Sequence, residues 1–174
     1  MYTKHKWNGG HHFSFQYVKY LPPDYDETKK YPLVFFLHGA GERGDDLDKA
    51  MYNGYMKHVR ESGAEYPFLF IAPQCPANKF WGCFTESLLA FLDEICESLP
   101  VDRERIYLTG LSMGGTGTWM LAMAAPERFA AIAPILGRFV RSRSPPHPNR
   151  AMVRPFAKPF TLVSTFSRPS GLWA

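Results

Sequence analysis

The run Gly110-Leu111-Ser112-Met113-Gly114-Gly115 holds the side chain best placed for covalent chemistry. Ile106-Tyr107-Leu108-Thr109 before it has the apolar character of a buried strand, and residues 116–125 after it suit a helix. A serine at a sharp strand-to-helix turn stands proud of the backbone, and glycines on either side remove the Cβ atoms that would block it. Such a hydroxyl can attack an acyl carbon while backbone N–H groups receive the oxyanion. Serine is also a preferred helix N-cap, but a plain cap leaves the flanking glycines unexplained. Activation calls for a base and for an acid that orients it. After Ser112 the chain holds one carboxylate, Glu127, and one histidine, His147.

The elements that must position this serine follow from apolar spacing. Residues 13–21 alternate apolar and polar side chains up to Pro22-Pro23-Asp24, which predicts an antiparallel edge strand ending in a turn. Residues 31–37 form an apolar, aromatic-rich run that suits a strand covered on both faces. The glycine-rich loop His38-Gly39-Ala40-Gly41-Glu42-Arg43-Gly44-Asp45-Asp46 comes next, then an expected helix over 47–59 and a short strand over 67–72. Residues 84–99 place Leu88, Leu89, Leu92, Ile95 and Leu99 near helical spacing, with Glu86, Asp93, Glu94 and Glu97 left for the opposite face. Strands over 105–109 and 130–136 complete the pattern. Strands alternating with helices predict a doubly wound, mostly parallel sheet with helices on both faces.

A strand ending in His38-Gly39-Ala40-Gly41, a tryptophan at Trp81, the segment Val101-Asp102-Arg103-Glu104-Arg105-Ile106-Tyr107 and the turn at 110–115 together resemble the α/β-hydrolase superfamily. More narrowly, they resemble its carboxylesterase, phospholipase and dienelactone-hydrolase-like branch of predicted peptidases and polyhydroxybutyrate-depolymerase-like esterases. The likeness runs over residues 13–136. It implies Ser112 as nucleophile, the N–H groups of Met113 and Ala40 as oxyanion donors, and Gly39 as part of the oxyanion loop, acting on a small-molecule carboxylic ester. In this family the base follows the nucleophile in the order Ser, acid, His, so His38 is expected to act structurally. His147 is then the sole histidine in the right order, although it sits between two prolines, and Glu127, beside Pro126, suits a solvated role better than that of a triad acid. Glu42, Arg43, Asp45 and Asp46 are expected to organise the loop or face solvent. Trp81 suits either an acyl-pocket wall or the core.

The family needs two more strands after residue 136 to deliver acid and base, and the chain departs from that pattern. Residues 1–137 hold all 16 acidic and 13 of the 20 basic residues, whereas residues 138–174 hold seven basic residues and no acid. That segment is rich in Arg, Pro and Ser, with residues 160–166 its single plausible strand. The simultaneous change of charge and periodicity at Gly137-Arg138 predicts an incomplete hydrolase core over 1–137, truncated after the strand that follows the nucleophile helix. Residues 138–174 then form a poorly ordered basic tail, replaced or out of frame. The expected consequence is weak or absent turnover, with an uncovered sheet edge open to self-association.

Other function classes are bounded by what the chain contains. At 174 residues and 45% hydrophobic content it can bury one substantial core. Cys75, Cys83 and Cys96 have no zinc-ligand spacing and read as free thiols, and His11-His12 alone makes a poor metal pair. No phosphate-binding or dinucleotide fingerprint is present, so neither cofactor nor metal is expected. No signal peptide or membrane-length apolar run is evident, which predicts a cytoplasmic protein. Two alternatives stay open: a noncatalytic hydrolase-like binding protein, and binding of nucleic acid or an acidic membrane through the basic tail. The tail has few interleaved aromatics and no recognised module, so specific nucleic-acid binding is not expected.

Overall fold

Period-two alternation along the central strands sets the architecture. The computed structural model describes residues 2–51, 57–58, 61–138 and 161–162. Among the described residues, seven strands form one sheet: β1 (Tyr2–Trp7), β2 (Phe15–Tyr20), β3 (Tyr31–Leu37), β4 (Leu69–Pro73), β5 (Val101–Leu111), β6 (Ala131–Ile135) and β7 (Thr161–Leu162), in the order β1-β2-β4-β3-β5-β6-β7. β2 pairs antiparallel with both β1 and β4, and the run from β4 to β7 is parallel. Two helices, α1 (Thr85–Ser98) and α2 (Met113–Ala124), make the crossovers before and after β5.

Leu33, Phe35 and Leu37 of β3 share one face with Leu69 and Ile71 of β4 and Ile106 and Leu108 of β5, packed against α1 and α2. Val34, Phe36, Phe70 and Ala72 point the other way, towards Leu47 and Met51. Each of the larger side chains removed from water contributes about 1.5–3 kcal/mol. Residues covered on both faces read as continuous apolar runs, which is why β3 and β4 stand out in the sequence.

The mostly parallel α/β sheet is as expected, with several corrections. Residues 13–21 do not form an edge strand: β2 is interior, and the edge is β1. β1 escapes notice because Lys4, His5 and Lys6 give it a polar, charged composition, as suits a strand with one side unpaired. No helix starts at residue 47; Lys49–Met51 form a single 3-10 turn, helical backbone is present at 57–58 and 61–62, and residues 52–56 and 59–60 lie outside the described ones. α1 and α2 pack on one face of the sheet. β5 reaches back to Val101, and α2 starts at Met113 rather than 116. Within the expected strand over 160–166, Thr161–Leu162 pair parallel to β6, adding a strand beyond the expected end of the sheet. No described helix is long and apolar enough to cross a membrane.

Candidate active site

Three strand ends converge on Ser112. It follows β5 directly and caps α2 with φ 54° and ψ −110°, a region that side chains other than glycine rarely occupy. Neighbours on both sides hold it there. Its N–H donates to Ile135 O at 2.8 Å, and its carbonyl accepts the N–H of Thr116 at 3.1 Å, the first bond of the helix. The N–H groups of Met113, Gly114 and Gly115 therefore have no acceptor within the helix. The glycines are required by close approach: a Cβ on Gly110 would meet the Gly114 and Leu37 carbonyls, and one on Gly114 would overlap the Leu37 carbonyl outright. α2 can then press against the end of β3, bringing the β3 loop beside the serine. A Cβ built on Gly39 would lie 3.9 Å from Ser112 Cβ and 3.5 Å from Leu111 O.

His38, at the start of that loop, is 1% exposed. Its Nε2 accepts the Cys75 N–H at 2.9 Å, which puts the proton on Nδ1, where it donates to Gly39 O at 2.7 Å. With both nitrogens held by backbone, the ring has the structural role expected of it. Burial pushes its pKa below the usual value, partly countered by the bond to the Gly39 carbonyl. Trp81 Nε1 donates to His38 O at 2.9 Å, and the indole is buried while still forming one wall of the cleft beside Ser112. Trp81 thus belongs to the core and also lines the cleft.

The cleft has a volume of about 550 Å³, and Phe80, Trp81, Cys83, Met120, Leu136 and Arg138 form most of its lining around Ser112. Phe80 and Leu136 are 60% and 71% exposed, an apolar rim rather than a core. Leu136 also takes a positive φ of 53° just past β6. No described lining residue is a histidine or a carboxylate. Glu127 is exposed in the 3-10 turn after α2, and His147 lies outside the described residues, as does most of the expected tail.

Of the two readings of Glu42, organising the loop or facing solvent, the second is excluded: it is buried, with a carboxylate oxygen 3.0 Å from a Cβ built at Gly39. Arg43 organises the loop, its Nε donating to Ala40 O at 2.9 Å and its guanidinium reaching Lys79 O and lying over the Phe80 ring at 5.4 Å. Asp45 and Asp46 are exposed, and their carbonyls accept side-chain amides from Gln16 and Gln74. The exposed His11 and His12 sit in the turn before β2, and no described cluster of three or more His, Cys, Asp or Glu could hold a metal. Gln74, Phe80, Leu136 and Arg138 were not singled out from the sequence, because nothing in their local pattern says which strand ends meet.

A serine at a tight turn after a parallel strand, flanked by a glycine-rich loop from the neighbouring strand, is the arrangement of an α/β hydrolase. Residues 12–145 match the family model described as putative esterase, and the chain belongs to that esterase family. Among curated relatives, a probable feruloyl esterase C of Aspergillus niger is 31% identical over 137 residues, covering 75% of this chain and 49% of the relative. One from Aspergillus terreus is 32% identical, covering 70% of this chain and 46% of the relative. The chain thus spans about half the length of the curated relatives it matches. Of solved structures, a thermostable esterase is 32% identical with a TM-score of 0.63, covering 76% of this chain and 40% of its own. A feruloyl esterase module from Clostridium thermocellum, an S954A mutant complexed with sinapinate, shares the fold at TM-score 0.66 and 19% identity, over 83% of this chain and 56% of its own.

Proposed function

We propose that the chain carries the nucleophile half of a serine carboxylic ester hydrolase. Ser112 Oγ forms a bond to the acyl carbon, the alkoxide leaves and takes up a proton, and water then releases the acid from the acyl-enzyme. The N–H groups of Met113 and Ala40 receive the oxyanion, aided by the positive end of α2; losing one such donor costs about 3 kcal/mol of transition-state stabilisation. The observation that carries this reading is the backbone of Ser112, φ 54°, held between a strand end and a helix start with Gly39 alongside. The aromatic wall of the cleft and the feruloyl esterase names of the relatives support an ester of an aromatic acid as substrate.

Turnover by this chain is low, because the described cleft supplies no group to take the Ser112 proton. Hydrolases stripped of the base lose roughly 10⁶ in kcat, keeping about 10³–10⁴ over water from the oxyanion hole and binding. Intact-mass measurement after exposure to a fluorophosphonate tests the nucleophile: slow addition of one adduct at Ser112 is expected, and none in Ser112→Ala. Equal labelling of the alanine variant would sink the assignment. Rapid cleavage of an aryl ester by the unmodified chain, lost in Ser112→Ala, would sink only the claim of low turnover.

A further inference from the structure

We infer that Gln74 is a positioning residue whose buried amide holds the loop 39–46 in the place from which Ala40 presents its N–H to Ser112; this rests on the oxyanion role proposed for Ala40. The loop has little regular structure of its own, only the three-residue 3-10 turn Ala40–Glu42. Gln74 stands just past β4, is 2% exposed, and is pinned by its own N–H, which donates to Gln16 O at 2.8 Å. Its Nε2 donates to Glu42 O at 3.0 Å and to Asp46 O at 2.7 Å, two carbonyls on either side of the bend. Because both acceptors are carbonyl oxygens, the orientation of the amide is dictated by its partners.

The other end of the amide argues against mere space filling. Oε1 is buried with no hydrogen-bond partner among the described residues, so the amide is held through its nitrogen. The amide nitrogen therefore supplies what an apolar side chain cannot: a hold on the loop at two points. Cys75 adds two more, its carbonyl accepting the Gly44 N–H at 2.9 Å and its N–H meeting His38. Gln16 also reaches the loop, at Asp45 O, but from the exposed side, where water can replace it.

Gln74→Met separates the two roles, since it keeps the volume while removing both donors and the orphan acceptor. Amide exchange of Gly44, bonded to Cys75 O, is the reporter. Exchange at Gly44 at least tenfold faster than wild type is expected in Gln74→Met, with amides of β5 unchanged. Gln16→Ala should stay within twofold of wild type. Fluorophosphonate labelling should slow about tenfold in its maximal rate, with the half-saturating probe concentration within twofold. Exchange at Gly44 within twofold of wild type in Gln74→Met overturns the proposal. Should that variant fail to fold, Gln74→Asn, one carbon shorter, is expected to speed exchange several-fold, and wild-type exchange there overturns it equally. If the wild-type chain does not label at Ser112, the hydrolase reading fails instead, and the exchange of Gly44 still decides whether Gln74 holds the loop.

Discussion

Ser112 occupies a backbone conformation that costs a side-chain-bearing residue about 1–3 kcal/mol, and it persists only because its neighbours over-determine it. Its N–H is taken by Ile135 O on one side, and on the other the end of α2 closes onto the β3 carbonyl of Leu37. The close approach depends on Gly114 having no side chain. Gly114→Ala is therefore expected to destabilise the fold by about 1–3 kcal/mol or more, through forced separation of α2 from β3. Urea unfolding measures the loss, and fluorophosphonate labelling should fall with it as Ser112 shifts. Ser112→Ala, by contrast, removes the proposed nucleophile and leaves these backbone contacts in place.

Among the elements, β1 is the one whose attachment is least obvious from its composition. It reads Tyr2-Thr3-Lys4-His5-Lys6-Trp7, with three basic-type residues in its middle, yet Trp7 anchors its end. The indole is buried, stacks on Phe15 at 5.9 Å and packs on Phe91 of α1 at 5.2 Å. Its Nε1 donates to Glu94 of α1 at 2.6 Å. A single side chain thus ties the outer strand to the helix beneath the sheet. Trp7→Ala is expected to cost about 3–5 kcal/mol, as for other buried large aromatics, and Trp7→Phe clearly less, measured as a difference in unfolding free energy. The helix α1 was legible because its apolar residues keep helical spacing. β1 was not, because an edge strand needs only one buried end.

For the molecule as a whole, pH dependence follows from the buried histidine. His38 holds its proton on Nδ1 and uses Nε2 as an acceptor, so a second proton would set an N–H against the Cys75 N–H. The folded chain therefore binds this proton less readily than the unfolded chain, whose histidine titrates near 6.5. Stability from this group is fully present above pH 6.5, falls as pH drops below that value, and levels off once the lower folded pKa is passed. Unfolding free energies between pH 7.5 and pH 4.5 should show this fall in the wild type and a smaller one in His38→Gln. The half-buried His5 also has a lowered pKa, from partial burial and from Lys19, and its contribution remains in both proteins.

Local pattern alone marked much of the candidate site. The glycines around Ser112, the His38-Gly39-Ala40-Gly41 loop and the buried runs of β3 and β4 each declare themselves, because turn geometry and two-faced burial constrain residue type directly. Tertiary structure decided what depends on which strand ends become neighbours. Placing β3 between β4 and β5 sets Gly39 beside Ser112 and Gln74 beneath the same loop, and it turns Glu42 from a solvent-facing candidate into a buried one. Those contacts join residues tens of positions apart, and the period of a strand records which face a side chain takes but not which strand lies next to it.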